Sequence, residues 1–233
     1  PECQVIYQVD LGGVSFELDA TELTLSPGEY TLEALTENLQ YLPQVTDVTL
    51  RTPELTTEEL ETLKSAYAEV NFACTVEILG TEYDTETTTL DLSALTGEDV
   101  ADTAEKLILL PGLEEVTLTD SQGQSSLTKE EVKTLMDACP QAVFHYTFEY
   151  QGQTLSTSDM EVIIQNKKIG DDGETELRQV LDLLPNCTRF VLDNCGFSNE
   201  VLAQVREDYR DRTKVVWRVY FGNGSALTDV DVI

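Results

Sequence analysis

Residues 187–197 read CTRFVLDNCGF, and their apolar side chains follow neither the period of a helix nor that of a simple strand. The spacings between Cys187, Phe190, Leu192, Cys195 and Phe197 are 3, 2, 3 and 2 residues. An α-helix repeats about every 3.6 residues and a strand about every two. The stretch therefore predicts a short strand that runs directly into a turn.

Other stretches of the chain resemble one another at a long, regular interval. PECQVIYQVD at 1–10 is similar to PQAVFHYTFE at 140–149. LTTEELETL at 55–63 is similar to LTKEEVKTL at 127–135, which lies 72 residues later. Self-similarity at a fixed period of this length is typical of repeat architectures.

The interval predicts one array over 1–233 with long units. Its units are expected at about 1–67, 68–139 and 140–210, with a partial unit at 211–233. Because both ends cut through a unit, we expect the array to be excised from a longer protein.

Each unit carries the same order of predicted elements. In FHYTFEY, the alternation places Phe144, Tyr146, Phe148 and Tyr150 on one side of a strand. A turn, a short strand, a helix with one apolar stripe, another short strand and a second helix follow. The chain therefore predicts an α/β protein in which strands and helices alternate.

The second helix of a unit begins with a recognisable capping signal. Thr56 and Thr128 stand three residues before Glu59 and Glu131, which is the spacing of a capping box. In the third unit the cap residue, Ser198, is kept, but the glutamate three residues later is not. These signals predict where the three helices start.

The opening stretch matches the motif L-x-x-L-x-L-x-x-[N/C]-x-L, which resembles the leucine-rich repeat. Residues 187–197 match throughout, with Cys195 at the Asn/Cys position. Residues 45–55 match with Pro53 at that position, and 113–127 match until an insertion, SQGQSS. VVWRV, LPGLEEVTL and LTKEEVKTL also resemble segments of divergent, long-unit leucine-rich repeat proteins, surface or secreted, of gut Firmicutes.

This resemblance implies a leucine-rich-repeat-like solenoid with a concave parallel sheet, outer helices and an inserted strand in each unit. Solenoids bury their apolar faces by stacking neighbouring units, and they bind ligands on extended concave surfaces. The resemblance also implies an extracellular or cell-surface location. We therefore expect a protein or peptide ligand on the concave sheet.

The composition restricts the partners of the chain. Acidic residues outnumber basic residues 44 to 14, which gives a formal charge of −30. Phosphate backbones and anionic lipids would be repelled, so we expect no nucleic acid partner. No apolar run approaches the roughly 18 residues of a membrane span, so we expect no membrane insertion. The charge fits either a solvated exterior or attraction to a basic partner, and no signal for an oligomeric state is present.

Catalytic signals are lacking, and we expect neither an enzyme nor a cofactor or metal site. His145 is the single histidine, and no catalytic or metal-binding motif occurs.

Three aromatic residues occupy equivalent strand positions, namely Tyr7, Tyr146 and Trp217. We interpret them as core residues, with a sugar-binding aromatic platform as the alternative. We expect the five cysteines to act as small, buried core residues. They are Cys3, Cys74, Cys139, Cys187 and Cys195.

Alternate residues of the predicted strands are expected to face the ligand. Ile163 and Val191 form an apolar pair that indicates either a contact patch or a surface covered by a loop or a further unit. The candidate binding residues are Thr49, Arg51, Asp91, Thr117, Glu161, Ile163, Gln165, Arg189, Val191 and Asp193.

The sequence thus predicts a non-catalytic, protein- or peptide-binding module of a bacterial surface or secreted protein. Two other functions stay open. The array can serve as a structural spacer that holds another domain away from the cell. It can also be an accessory domain of an enzyme that acts on cell walls or polysaccharides.

Overall fold

The computed structural model describes residues 8–52 and 55–229, and it shows a mixed α/β protein. The chain divides into two compact units. One comprises Pro1–Thr88 and Glu105–Leu113, and the other comprises Thr89–Ala104 and Glu114–Ile233. None of the helices within the described ranges is long and apolar enough to cross a bilayer.

Within the described residues, the first unit contains six strands and two complete α-helices. An antiparallel hairpin comes first, and a sheet in the order β3-β4-β5-β6 follows. The elements are β1 (Gln8–Asp10), β2 (Ser15–Glu17), β3 (Glu22–Leu25), α1 (Leu32–Asn38), β4 (Asp47–Arg51), α2 (Thr57–Ala66), β5 (Asn71–Ile78) and β6 (Thr81–Asp84).

The second unit continues the alternation, and α3 runs across the division between the two units. Its strands form a sheet β7-β8-β9, a hairpin β10-β11 and a sheet β12-β13-β14-β15. The elements are β7 (Thr89–Asp91), α3 (Val100–Leu107), β8 (Glu115–Thr117), α4 (Lys129–Ala138), β9 (Val143–His145), β10 (Thr147–Tyr150), β11 (Gln153–Ser156), β12 (Glu161–Gln165), α5 (Glu174–Asp182), β13 (Arg189–Asp193), α6 (Asn199–Asp208), β14 (Lys214–Phe221) and β15 (Gly224–Leu227).

The prediction of a solenoid with a single concave parallel sheet is wrong. The described strands form five small, separate sheets, and none of them curls into a solenoid. The physical reason is that a hairpin follows each run of parallel strands, and after β9 this hairpin, β10–β11, is a sheet of its own. The chain returns antiparallel from β5 to β6, from β10 to β11 and from β14 to β15, so parallel pairing does not continue from one run to the next.

Two of these reversals use a pair of residues with left-handed backbone. Leu79 and Gly80 have φ of 51° and 75° between β5 and β6. Gln151 and Gly152 have φ of 52° and 74° between β10 and β11. Two consecutive positive φ angles give a tight turn whose twist matches that of the flanking strands. A non-glycine residue at the first position stores some strain there.

The predicted helix starts are confirmed. Thr56 accepts from the backbone N–H of Glu59, and the glutamate side chain accepts from the threonine N–H in return. Thr128 and Glu131 make the same reciprocal pair at the start of α4. Ser198 caps α6 with its hydroxyl alone. Capping satisfies backbone donors that have no partner within the helix.

The predicted aromatic side of FHYTFEY is also confirmed. Phe144, Tyr146, Phe148 and Tyr150 are all buried. The Tyr146 hydroxyl donates to the carbonyl of Leu127 at 3.0 Å, so its polar group is satisfied inside the core. Tyr146 and Trp217 are therefore core residues, and the alternative of an aromatic sugar platform fails for both. The predictions for Cys3, Tyr7 and Pro53 concern residues outside the described ranges.

Cys195 fills the turn after β13, as the motif predicts. Its side chain is buried, and its Sγ lies 3.4 Å from the carbonyl oxygen of Ile164 on the neighbouring strand. The other described cysteines are also buried free thiols, namely Cys74, Cys139 and Cys187. Burial raises the pKa of all four thiols, which disfavours the reactive thiolate.

Candidate functional site

The ten predicted binding residues do not share one concave face. Thr49 and Arg51 lie on β4 in the first unit, and Asp91 and Thr117 lie on β7 and β8. The remaining six lie together on β12 and β13, where alternate residues of two paired strands face the same way. The structure therefore gathers Glu161, Ile163, Gln165, Arg189, Val191 and Asp193.

This shared surface continues onto strands that the sequence reasoning left out. Arg189 pairs with Lys214 of β14, and Val191 pairs with Val216. Arg218 and Tyr220 follow at alternate positions on the same strand. We call this side of the β12–β15 sheet the outer face. The signal for it was present in the alternation of KVVWRVYF, whose other side carries the buried Val215 and Trp217.

Two rows of ion pairs cross the outer face. Arg189 contacts Glu161 on one side and donates to Asp229 on the other, at an Nε–Oδ2 distance of 2.8 Å. Arg218 donates two hydrogen bonds to the Asp193 carboxylate, from Nε to Oδ1 at 2.7 Å and from Nη2 to Oδ2 at 2.9 Å. Two parallel N–H···O bonds fix geometry as well as charge. These arginines hold the pKa of Asp193 and that of Asp229 below their usual values.

An apolar row lies between the two ion-pair rows, and it is open at one end only. Ile163 is 41% exposed, whereas its neighbour Val191 is 2% exposed and Val216 is fully buried. The expectation that Val191 would be accessible is therefore wrong. Val191 lies on an interior strand with neighbours on both sides, whereas Ile163 lies on β12, the edge strand of the sheet.

A cleft opens where β13 and β14 end, next to the outer face. It has a volume of about 430 Å³, and its lining includes Arg218 and Tyr220 together with Trp217 and Asn199. The Trp217 indole donates to the Asn199 side chain at 2.8 Å, which holds the start of α6 against β14. Tyr220, between the cleft and the outer face, is 68% exposed, so its aromatic ring is accessible to solvent.

Among the described residues, the single histidine lies near one carboxylate without a hydrogen bond to it. His145 is half exposed, and its Nε2 lies 3.9 Å from the Glu115 carboxylate, which is beyond a hydrogen bond. Thr117 lies opposite His145 where β8 pairs with β9, but no hydrogen bond joins these two described side chains. No group of three or more His, Cys, Asp or Glu side chains within the described ranges is placed to hold a metal ion.

Comparison with known proteins adds no family to this picture. No protein-family model matches the chain, and no curated protein matches it either. The leucine-rich repeat resemblance and the surface location stay predictions.

Proposed function

We propose that the chain is a non-catalytic binding module that recognises a protein or peptide through the outer face of the β12–β15 sheet. The observation that carries the proposal is Ile163, an exposed aliphatic side chain between two ordered rows of ion pairs. Protein interfaces typically place apolar anchors within a polar rim. The outer face has this arrangement before any partner binds.

Order in the rim supports the proposal. Arg189 and Arg218 are held by carboxylates of the same chain, so little side-chain freedom is lost when a partner covers them. Tyr220 adds a largely exposed aromatic ring on the same face. Tyrosine is among the residues that contribute most to binding energy at interfaces.

The chemistry of the partner follows from the charge of the whole chain. The ion pairs of the outer face balance locally, but the chain carries a formal charge of −30. A field of this sign accelerates the approach of positively charged molecules and repels acidic ones. The proposed partner is therefore a basic protein or peptide, and its association rate should fall with added salt.

An affinity experiment with matched variants tests the proposal. Ile163→Glu places a charge at the open end of the apolar row. Val143→Glu is the control, because Val143 is 45% exposed and lies on β9, outside the β12–β15 sheet. A basic partner should be retained by wild type and by Val143→Glu and lost by Ile163→Glu. Equal retention by both variants would reject the outer face as the site.

A further inference from the structure

The connection between β8 and α4 is longer than its counterpart between β13 and α6. Ten residues, 118–127, separate the end of β8 from the cap residue Thr128. Four residues, 194–197, separate the end of β13 from the cap residue Ser198. Counted from the equivalent motif leucines, Leu118 and Leu192, the connection is four residues longer, which is the excess of 113–127 over the matching stretch 187–197.

The insertion loop is held in one conformation by its own contacts. The Asp120 carboxylate accepts from the backbone N–H groups of Gln122 and Gln124, both at 2.8 Å. Gly123 adopts a left-handed φ of 74°, and its carbonyl accepts from the Thr147 hydroxyl of β10 at 2.7 Å. Because the loop is pinned at its base and at its tip, its backbone is held in place before a ligand binds.

A cavity of about 540 Å³ lies between the insertion loop and the β10–β11 hairpin. This volume is within the range of small-molecule sites. Amide, hydroxyl and carboxylate groups supply about half of the lining surface, through Gln122, Gln124, Ser125, Thr128, Glu149 and Thr154. The turn of the loop uses the backbone of the two glutamines and the side chain of Asp120, so neither glutamine amide is needed to hold it.

The single cation of the lining is paired, and its two aromatic rings are nearly buried. Lys129 is engaged by Glu176 at 3.0 Å and stands over the Phe148 ring at 5.7 Å. Tyr146 and Phe148 form part of the wall but are only 5% and 6% exposed. Neither ring is exposed enough to receive an apolar anchor residue of a peptide, and such anchors dominate protein interfaces.

We propose that this cavity binds a neutral oligosaccharide through the amides of Gln122 and Gln124 and the polar groups of the hairpin. A sugar hydroxyl donates and accepts hydrogen bonds, and a side-chain amide presents a donor and an acceptor side by side. The Glu149 carboxylate, which already accepts from Thr154, adds acceptor oxygens on the opposite wall. A few neutral hydrogen bonds without aromatic stacking correspond to a dissociation constant of about 1 mM.

Nuclear magnetic resonance of the whole chain tests the proposal. The isotope-labelled protein is titrated with neutral di- to tetrasaccharides of glucose, galactose, mannose and N-acetylglucosamine. We expect saturable shifts for at least one sugar at Gln122, Gln124, Glu149 and Thr154. A capped, uncharged glycine-serine tetrapeptide is titrated in parallel. Saturation by the peptide alone, shifts confined to other residues, or no saturation by any sugar would overturn the proposal.

Paired variants connect the binding to the insertion. Gln122→Ala combined with Gln124→Ala removes both amides but keeps the backbone contacts, and it should weaken sugar binding about tenfold. Gln141→Ala, a change at an exposed glutamine outside the lining, should leave the affinity unchanged. Deletion of 122–125, which leaves five residues between Leu118 and Thr128 as between Leu192 and Ser198, should abolish binding. Wild-type affinity in the double variant would contradict the assignment, even if the deletion prevents folding.

Discussion

Val191 should contribute much more to stability than its neighbour Ile163, although both lie in the apolar row of the outer face. Val191 is 2% exposed and Ile163 is 41% exposed. Val191→Ala removes two buried methyl groups. The burial of each one contributes about 0.8 kcal/mol of hydrophobic free energy to stability. The cavity left between β12 and β14 adds to this cost, for a total of about 2–3 kcal/mol.

Ile163→Ala removes more carbon atoms but should cost less. The side chain is partly in water already, and an edge position leaves a surface dent rather than a closed cavity. We expect a loss of about 1 kcal/mol. The smaller deletion is therefore predicted to have the larger effect, which reverses the order expected from side-chain size alone.

Trp217 provides the assay. It is the single tryptophan of the chain, is buried, and lies on β14 of the same sheet. Its fluorescence during thermal unfolding should show Val191→Ala melting roughly 5–10 °C below wild type, and Ile163→Ala within a few degrees of it. Equal shifts in melting temperature, or a larger shift for Ile163→Ala, would refute the claim that the apolar row is buried at Val191 and open to solvent at Ile163.

Three further outcomes follow from local geometry. Thr128→Ala should lower stability by about 1 kcal/mol through loss of the α4 cap, and Thr128→Ser should restore it in the same thermal melts. The pKa of Asp193 is lowered by Arg218, so the stabilisation by this pair is complete above pH about 5 and is lost as pH falls through the lowered pKa. The melting difference between wild type and Asp193→Asn should therefore stay constant from pH 7 to about 5 and shrink below that; growth of the difference in acid would contradict the pair. A thiol reagent should react quickly with at most one cysteine of the native protein, because four are buried: Cys74, Cys139, Cys187 and Cys195.

Local structure could be predicted from the sequence wherever neighbours in the chain decide it. The capping boxes at Thr56 and Thr128 depend on contacts over three residues, and both form as predicted. The alternation of FHYTFEY specifies which side of the strand is apolar, and that side is buried. Such patterns reflect the geometry of a single element, which the sequence states directly.

Pairing between distant strands could not be predicted in the same way. A motif at 187–197 predicts a strand but does not state where parallel pairing stops. The parallel runs end at β5, β9 and β14, and a hairpin follows each of them, which gives separate sheets where one sheet was expected. The burial of Val191 has the same origin, because it depends on β14 pairing along β13.

Some residues of the candidate sites could be predicted from local patterns, and others depend on how distant strands pair. Six predicted binding residues meet on the outer face because alternation along β12 and β13 was read correctly. Arg218 and Tyr220 were not predicted, because the sequence does not show that β14 pairs with β13. The insertion SQGQSS was visible in the sequence, but the cavity it forms with Thr147 and Glu149 depends on the fold.

Site-specific photo-crosslinking tests the central claim most directly. A photoreactive benzoylphenylalanine replaces Ile163 in one protein and Val143 in a second. Both are illuminated in extracts of bacterial and host epithelial surfaces, and the captured species are identified by mass spectrometry. The account predicts that a basic protein is captured at residue 163, that it is absent at residue 143, and that salt weakens its capture. The same species at both positions, or none at residue 163, would contradict a binding site on the outer face.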